Sequence, residues 1–89
     1  MSWFVYLVRC ADHTLYCGVT NDLVARVAAH GTRRGAKYTR TRGPVHVVFS
    51  RRCRDKRYAM RLEYRIKQLS RAQKDQLIAQ PARLARLAR

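Results

Sequence analysis

Acidic residues are scarce in this sequence. Among its 89 residues, Asp and Glu together number five and Lys and Arg number twenty, so the formal net charge at pH 7 is +15. A charge of this size says little about the fold, but it attracts polyanions, first nucleic acid and then an anionic membrane surface. Apolar residues still make up 47% of the chain, which is normal for a globular protein and excludes a disordered one.

Long apolar runs, paired cysteines and linkers are also missing. The apolar run that begins at Trp3 is too short to span a bilayer or to serve as a signal-peptide core, so we expect a cytoplasmic protein without membrane contact. The three cysteines are an odd number at no metal-like spacing, which predicts free thiols and neither disulfides nor a zinc site. The length suits one core, and we expect a single domain over residues 1–80 with a basic tail over 81–89.

The first half of the chain predicts a hairpin followed by a helix. The continuous apolar run Trp3–Val8 predicts a strand buried on both faces, and therefore a central one. The segment Leu15–Thr20 predicts its antiparallel partner. Asn21 or Asp22 can cap the next helix, which ends near His30 before the glycine that follows.

The second half predicts a strand and two helices. The strand covers residues 45–50, and Asp55 caps a helix over about residues 56–69. Ser70 starts a third helix, to about residue 80, with a capping-box pattern. The order is therefore β-β-α-β-α-α. Because the hairpin cannot be parallel, we expect an α+β fold with an antiparallel or mixed sheet and helices packed on it.

The hairpin loop decides whether Tyr6 and Tyr16 share a face of the sheet. A two-residue turn at Asp12-His13 would place them on opposite faces, since side chains alternate along a strand. A three-residue loop over residues 12–14 would place them on the same face. That loop needs a left-handed residue, and His is one of the non-glycine residues that adopt this conformation. A positive φ at His13 is the corresponding expectation.

Two sets of polar residues could carry chemistry. Glu63, the single glutamate, lies at the edge of the apolar stripe of its helix. Its carboxylate either pairs with Lys67, four residues on, or ligates Mg²⁺, which often takes one or two protein carboxylates with water and phosphate. Arg26 and His30 share a helix face, which is either a solvated surface or a place where an arginine holds a phosphate with two hydrogen bonds.

Basic segments, "RRGAKYTRTR" and "RRCRDKR", lie on either side of the third predicted strand. In the first of them Lys37 and Arg40 flank Tyr38, an arrangement typical of phosphate and stacking contacts with nucleic acid. A solvated surface can have the same composition, but at a net charge of +15 the pattern favours nucleic acid.

Over about residues 3–80, the chain resembles the GIY-YIG nuclease family, and specifically its small stand-alone bacterial members. The segments Phe4-Val5-Tyr6 and Tyr16-Cys17-Gly18 correspond to the two motifs of the family, and "VTND" and "GAKYTR" follow in the family's order. The polar and glycine positions that match are Tyr6, Tyr16, Gly18, Arg26, His30 and Glu63.

The resemblance implies a small antiparallel sheet, usually of three strands, flanked by helices; for this chain we expect three strands and three helices. It also implies cleavage of DNA phosphodiester bonds that depends on a single Mg²⁺ or Mn²⁺ ion. Glu63 would be the metal ligand and Arg26 the clamp on the scissile phosphate. Tyr6 and Tyr16 would position and deprotonate the attacking water, with either one as the base. His30 would hydrogen-bond to the active tyrosine. Positive charge from Arg26 and a metal ion would favour the phenolate form of a tyrosine.

The nucleic-acid contacts expected from the resemblance and the basic loop form one surface, in which Gly18 leaves room for the DNA backbone. DNA is the expected substrate, and RNA is a second candidate for binding. The residues expected to contact nucleic acid are Gly18, Arg33, Arg34, Lys37, Tyr38, Thr39 and Arg40.

Several departures from the family pattern leave other functions open. Phe4 replaces the glycine of the first motif, and Cys17 replaces the isoleucine of the second. Val19 stands where some members carry a lysine, and Asn21 is the single asparagine, so the late asparagine of some members has no counterpart. The alternative is a catalytically idle module that binds nucleic acid in the same basic cleft. A third interpretation is a basic subunit whose tail, "ARLARLAR", contacts a protein partner.

Overall fold

The computed structural model describes residues 2–29 and 45–84. The elements follow one another in the predicted order, and the α+β class with three antiparallel strands and three α-helices is confirmed. They are β1 (Trp3–Arg9), β2 (Leu15–Thr20), α1 (Leu23–Ala29), β3 (His46–Cys53), α2 (Lys56–Lys67), α3 (Arg71–Ala79) and a 3₁₀ helix (Pro81–Arg83).

The sheet has the strand order β2-β1-β3, with both pairs antiparallel. β1 lies in the centre because both of its faces are apolar, and Val5, Tyr6, Leu7 and Val8 are each 0% exposed. The central position expected from the continuous apolar run is confirmed. A register shift between Leu7 and the next residue bends the pairing of β1 with β3, as β-bulges do.

The hairpin loop has the predicted backbone but lies one residue earlier than expected. His13 has φ of 68°, in the left-handed region. The backbone N–H of Cys10 donates to the carbonyl of Thr14 at 2.9 Å, and the N–H of His13 donates to the carbonyl of Cys10 at 2.9 Å. The loop is therefore residues 11–13, and the prediction of residues 12–14 is wrong. Thr14 joins the pairing instead, while the Asp12 carboxylate accepts from its N–H at 3.1 Å.

The shift of the loop by one residue leaves Tyr6 and Tyr16 on the same face of the sheet. Both loops contain three residues, so strand parity is unchanged. The register pairs Tyr6 with Gly18 and Val8 with Tyr16. Directly paired residues share a face of an antiparallel sheet, so Tyr6 and Tyr16 are diagonal neighbours on the same face.

The main core lies on the other face of the sheet. Val5 and Leu7 contribute to it from β1, and three residues of α2 pack against them. These α2 residues are three and four apart, Ala59, Leu62 and Ile66, and all are 0% exposed, as the predicted stripe requires.

The helix caps are those that the sequence predicts. Asp22 is the residue that caps α1, since its carboxylate accepts from the N–H of Ala25 at 3.1 Å. Asp55 accepts from the N–H of Tyr58 at 2.8 Å and begins α2. Ser70 forms the expected capping box at α3. α2 and α3 end slightly earlier than predicted, within the usual uncertainty of helix ends.

The packing continues beyond residue 80, where we expected the domain to end. Leu84 is 3% exposed and belongs to the core together with Leu77 of α3. The first part of the tail, Pro81–Arg83, is a 3₁₀ helix, and residues 85–89 lie outside the described residues. Their contact with a protein partner stays a prediction.

All three cysteines, Cys10, Cys17 and Cys53, are buried free thiols, as expected. None of the helices in the described ranges is long and apolar enough to cross a lipid bilayer.

The left-handed conformation of His13 generates a prediction about stability. We expect His13→Val to lower the free energy of unfolding by about 1–2 kcal/mol, because a β-branched side chain is strained at positive φ. The matched variant His13→Gly should be at least as stable as the wild type, since glycine adopts this φ without strain. Urea denaturation of the three proteins measures the difference. Equal stability of the valine and glycine variants would contradict the assigned loop.

Candidate active site

The candidate site begins with two tyrosines on the face of the sheet that is opposite to the main core. Tyr6 on central β1 is fully buried, whereas Tyr16 on edge strand β2 is partly exposed. Their shared face follows from the register described above. The two phenol groups therefore have different environments, and only the environment of Tyr16 is open to solvent.

Gly18 lies directly beneath the ring of Tyr6. A Cβ atom placed on this glycine would lie 2.5 Å from the Tyr6 hydroxyl oxygen and 2.7 Å from the Cζ atom. These distances are shorter than van der Waals contact, so any side chain at position 18 would force the fully buried ring of Tyr6 to shift. The space above Gly18, which we expected to admit the DNA backbone, is thus filled by Tyr6. Contact between Gly18 and nucleic acid stays a prediction, but the absence of a side chain there has a structural cause.

The corner between β2 and α1 positions Arg26. The hydroxyl of Thr20 accepts from the N–H of Asp22 at 3.1 Å. The carbonyl of Asp22 accepts from the N–H of Arg26 at 3.0 Å. These bonds fix the first turn of the helix. The guanidinium of Arg26 then lies within hydrogen-bonding reach of both phenol oxygens, those of Tyr6 and Tyr16.

Burial outweighs the positive charge in setting the ionisation of Tyr6. Desolvation raises the pKa of Tyr6 above its ordinary value of 10.0, and the hydrogen bond and charge of Arg26 offset this only in part. The hydrogen bond to Tyr6 in turn is the main cause that raises the pKa of Arg26. Arg26 thus favours the phenolate form of Tyr6, as expected, but its effect on the pKa is outweighed, because removing the group from water disfavours the charged form more strongly.

Glu63 approaches the same edge strand from the other side. Its carboxylate oxygen lies 3.7 Å from the ammonium nitrogen of Lys67, and the Glu63 side chain is 23% exposed. Burial and then the nearby charge of Glu63 raise the pKa of the Cys17 thiol to about 12. Cys17 points into the main core, away from Tyr16. The structure thus brings Tyr6, Tyr16 and Arg26 together, and places Glu63 on the α2 side of β2.

The surroundings of Glu63 fit a metal site in which the protein supplies one carboxylate. Within residues 2–29 and 45–84, no group of three or more His, Cys, Asp or Glu side chains could hold a metal ion. An all-protein cage is therefore excluded for the described residues. A partly exposed carboxylate with water and a substrate phosphate as the other ligands suits the coordination of Mg²⁺, and Glu63 can supply that carboxylate.

A larger part of the predicted site lies outside the described residues. It comprises one expected catalytic residue and most of the expected nucleic-acid contacts. These are His30, Arg33, Arg34, Lys37, Tyr38, Thr39 and Arg40.

The register of β3 adds two polar residues that the sequence analysis did not select. Ser50 pairs with Tyr6, and Arg52 pairs with Phe4, so both belong to the tyrosine face. Both are exposed, and the guanidinium Nε of Arg52 donates to the hydroxyl of Ser2 at 2.8 Å. Alternation along "HVVFSRRC" gives the relative faces of these residues, but only the pairing with β1 shows which face is that of the tyrosines.

Two tyrosines and an arginine that converge on one face of a three-stranded antiparallel sheet are the features of a GIY-YIG catalytic domain. The sequence profile of that domain matches residues 2–76 of this chain. The chain belongs to the GIY-YIG family, a nuclease family whose substrates are nucleic acids.

The relatives are small bacterial proteins of similar length. A UPF0213 protein of Vibrio cholerae is 52% identical over 86 residues, which is 96% of this chain and 85% of the relative. The UPF0213 protein YhbQ of Escherichia coli K12 is 45% identical over 85 residues, with the same two coverages. The solution NMR structure of a UPF0213 protein from Bacillus halodurans has a TM-score of 0.59 at 43% identity, covering 89% of this chain and 84% of that one.

The contact between Tyr6 and Gly18 predicts that substitutions at these two positions have coupled effects on stability. We expect Gly18→Ala to lower the free energy of unfolding by about 1–3 kcal/mol, because the added methyl group must displace a buried ring. In a Tyr6→Ala background the same substitution should cost much less, since the ring is gone. Thermal or urea denaturation of the four proteins gives the coupling energy. An equal cost of Gly18→Ala in both backgrounds would show that the ring is not the obstacle.

Proposed function

We propose that the protein is a metal-dependent endonuclease that hydrolyses DNA phosphodiester bonds, with selectivity for the structure of the DNA. The observation that carries this proposal is the convergence of Tyr6, Tyr16 and Arg26 on one face of the sheet. It provides a phenol open to solvent, a buried phenol and a cation within reach of both. Membership of the nuclease family supports it further.

Tyr16 is the general base in this proposal, and Tyr6 is an anchor. A base must come within hydrogen-bonding distance of the water that it deprotonates. Tyr16 is partly exposed and can do so, whereas Tyr6 is 0% exposed. Burial keeps Tyr6 protonated by raising its pKa. Its phenol oxygen accepts from Arg26 and holds the guanidinium in place.

Arg26 holds the scissile phosphate. A guanidinium has five N–H donors in a planar fork, so contacts with two phenol oxygens leave donors for a substrate. An arginine commonly donates two parallel hydrogen bonds to two oxygens of one phosphate. Because the phenols limit the motion of Arg26, we expect the guanidinium to be oriented before the substrate binds, which lowers the cost of ordering it.

Glu63 holds a single Mg²⁺ or Mn²⁺ ion. Such an ion acidifies water and stabilises charge on a phosphate. Glu63 and Tyr16 approach β2 from opposite faces, and β2 is one of the two edge strands of the described sheet. A phosphate that both residues act upon would therefore lie along this edge. Metal binding would also separate Glu63 from Lys67, whose ammonium group is its ion-pair partner.

We place this activity in the cytoplasm, where reduced thiols persist, in agreement with three buried free cysteines. DNA is the proposed substrate, with RNA as a second ligand of the same basic surface.

The experiment is cleavage of labelled single-stranded, duplex, flap and four-way-junction DNA in the presence of Mg²⁺ or Mn²⁺. We expect cleavage by the wild type, and we expect a chelator or Glu63→Ala to reduce the rate at least a hundredfold, on the order of the loss that follows removal of a key electrostatic group. Asp75→Ala removes another carboxylate, one that pairs with Arg71 on α3; it is the matched control and should retain the turnover rate at saturating DNA.

A different result would favour the alternative, a catalytically idle module that binds nucleic acid. That result is salt-sensitive DNA binding by both the wild type and Glu63→Ala, without cleavage of any substrate with either metal. Cleavage that persists in Glu63→Ala with a chelator present would contradict the metal site.

A further inference from the structure

The outer surface of α2 is unlike that of an ordinary solvated helix. Three exposed arginines follow one another at intervals of four residues, Arg57, Arg61 and Arg65. Residues four apart are neighbours on a helix, and like charges at this spacing destabilise it. The intervals correspond to a rise of about 6 Å each, so the arginines form a continuous positive stripe along the helix.

In the described ranges no acidic residue forms an ion pair with these three arginines, although Asp55 lines a groove together with Arg57 and Arg61. All five acidic residues of the chain lie in the described ranges, and their hydrogen bonds and ion pairs engage them elsewhere. Asp55 caps α2, and its carboxylate oxygen Oδ2 lies 3.8 Å from the guanidinium Nε of Arg54. Glu63 pairs with Lys67, and Asp75 pairs with Arg71. The remaining two occupy the hairpin loop and the cap of α1, Asp12 and Asp22.

A large aromatic side chain lies in the middle of the same surface. Tyr64 is 68% exposed, and Met60, one turn before it, is 50% exposed. On a helix with 100° per residue, Tyr64 points almost directly away from the buried stripe of α2. An exposed tyrosine beside a row of arginines combines a surface for base stacking with cations for phosphates.

The basic surface also extends beyond the N-terminal end of α2. An open groove of about 330 Å³ is lined by residues 54, 55, 57, 58 and 61. The guanidinium of Arg54 lies over the ring of Tyr58, 5.4 Å from its centroid, so this arginine is held at the rim of the groove. The positive stripe and the groove together form one surface, which we call the α2 surface.

We infer that the α2 surface is a second nucleic-acid-binding surface, and that it takes a single-stranded segment of DNA. The stripe would contact the phosphates and Tyr64 would stack on an unpaired base, which a duplex does not offer at its surface. This surface is separate from Tyr6 and Tyr16, because α2 packs on the opposite face of the sheet. Glu63 belongs to the same helix but points about 160° away from Arg61. The choice of DNA as the polyanion rests on the proposed function, whereas the binding itself requires no cleavage.

A protein with these two surfaces would hold DNA at two places. The candidate active site would contact the scissile phosphate at the edge of the sheet, and the α2 surface would hold an unpaired strand on the other side. Flaps and splayed forks contain such unpaired segments next to duplex, whereas a fully paired four-way junction does not, which gives the structure selectivity of the proposed nuclease a physical basis.

The test is binding of a short labelled single strand of mixed sequence by the full chain in EDTA, so that no metal-dependent cleavage occurs. Fluorescence anisotropy over a range of salt concentrations gives the affinity and its salt dependence. We expect the variant with Arg57→Gln, Arg61→Gln and Arg65→Gln to bind at least tenfold more weakly. The slope of log affinity against log salt should fall by about 2, since each phosphate contact contributes about 0.7 on single strands.

A second triple variant controls for net charge. Arg83→Gln, Arg86→Gln and Arg89→Gln remove the same charge from the C-terminal segment. Equal losses of affinity in the two triple variants would mean that net charge alone matters, and would overturn the inference. Thermal denaturation checks the fold, and the α2 variant should be at least as stable as the wild type, because arginine–arginine repulsion is removed.

Tyr64 provides a test that does not change the charge. Tyr64→Ala should weaken single-strand binding by about 5- to 150-fold, the range expected for the loss of one stacked base. Tyr64→Phe keeps the ring and should bind like the wild type. Unchanged binding by Tyr64→Ala would overturn the stacking role.

The results separate this inference from the proposed nuclease activity. Loss of single-strand binding in the α2 variants of a protein that cleaves no DNA would support the α2 surface and contradict the nuclease. Metal-dependent cleavage together with unchanged binding by the α2 variants would support the nuclease and overturn the second surface.

Discussion

The contact between the ring of Tyr6 and Gly18 is the constraint on which the candidate site depends. The ring occupies the volume that any side chain at position 18 would need, so the glycine is what gives the Tyr6 ring its place over β2. The buried phenol then has a defined partner in Arg26 on the next helix. Because the hydroxyl of Thr20 and the carbonyl of Asp22 accept the hydrogen bonds that close the β2–α1 corner, the guanidinium is held between two tyrosines.

One face of the sheet stabilises the fold, and the other carries the candidate catalytic groups. The first of these faces carries the apolar core, with α2 packed against Val5 and Leu7, and burial of these apolar side chains stabilises the fold. The other face carries the phenols and the arginine. Glu63 belongs to neither interior, since it lies at the edge of α2 near β2. The edge at β2 is therefore where the chemistry of both sides can meet a substrate.

Much of the fold could be predicted from the sequence because local signals and burial agree. The apolar run of β1, the caps at Asp22, Asp55 and Ser70, and the left-handed His13 each follow from local physical chemistry, and the structure has all of them. The position of the loop could not be predicted, because loops of residues 11–13 and 12–14 preserve the same strand parity. The role of Gly18 was also missed, since contact with a ring twelve residues away depends on strand register.

The central claim is that Tyr6 is a protonated anchor for Arg26 and that Tyr16 is the base. The most direct test compares Tyr6→Phe with Tyr16→Phe, each of which removes a hydroxyl group and keeps the ring, in metal-dependent cleavage of DNA at saturating concentration. The account predicts that Tyr16→Phe lowers the turnover rate by at least about a hundredfold, on the scale of general-base catalysis, and that Tyr6→Phe lowers it by about tenfold or less. Full activity of Tyr16→Phe with loss of activity in Tyr6→Phe would contradict this assignment of the two tyrosines.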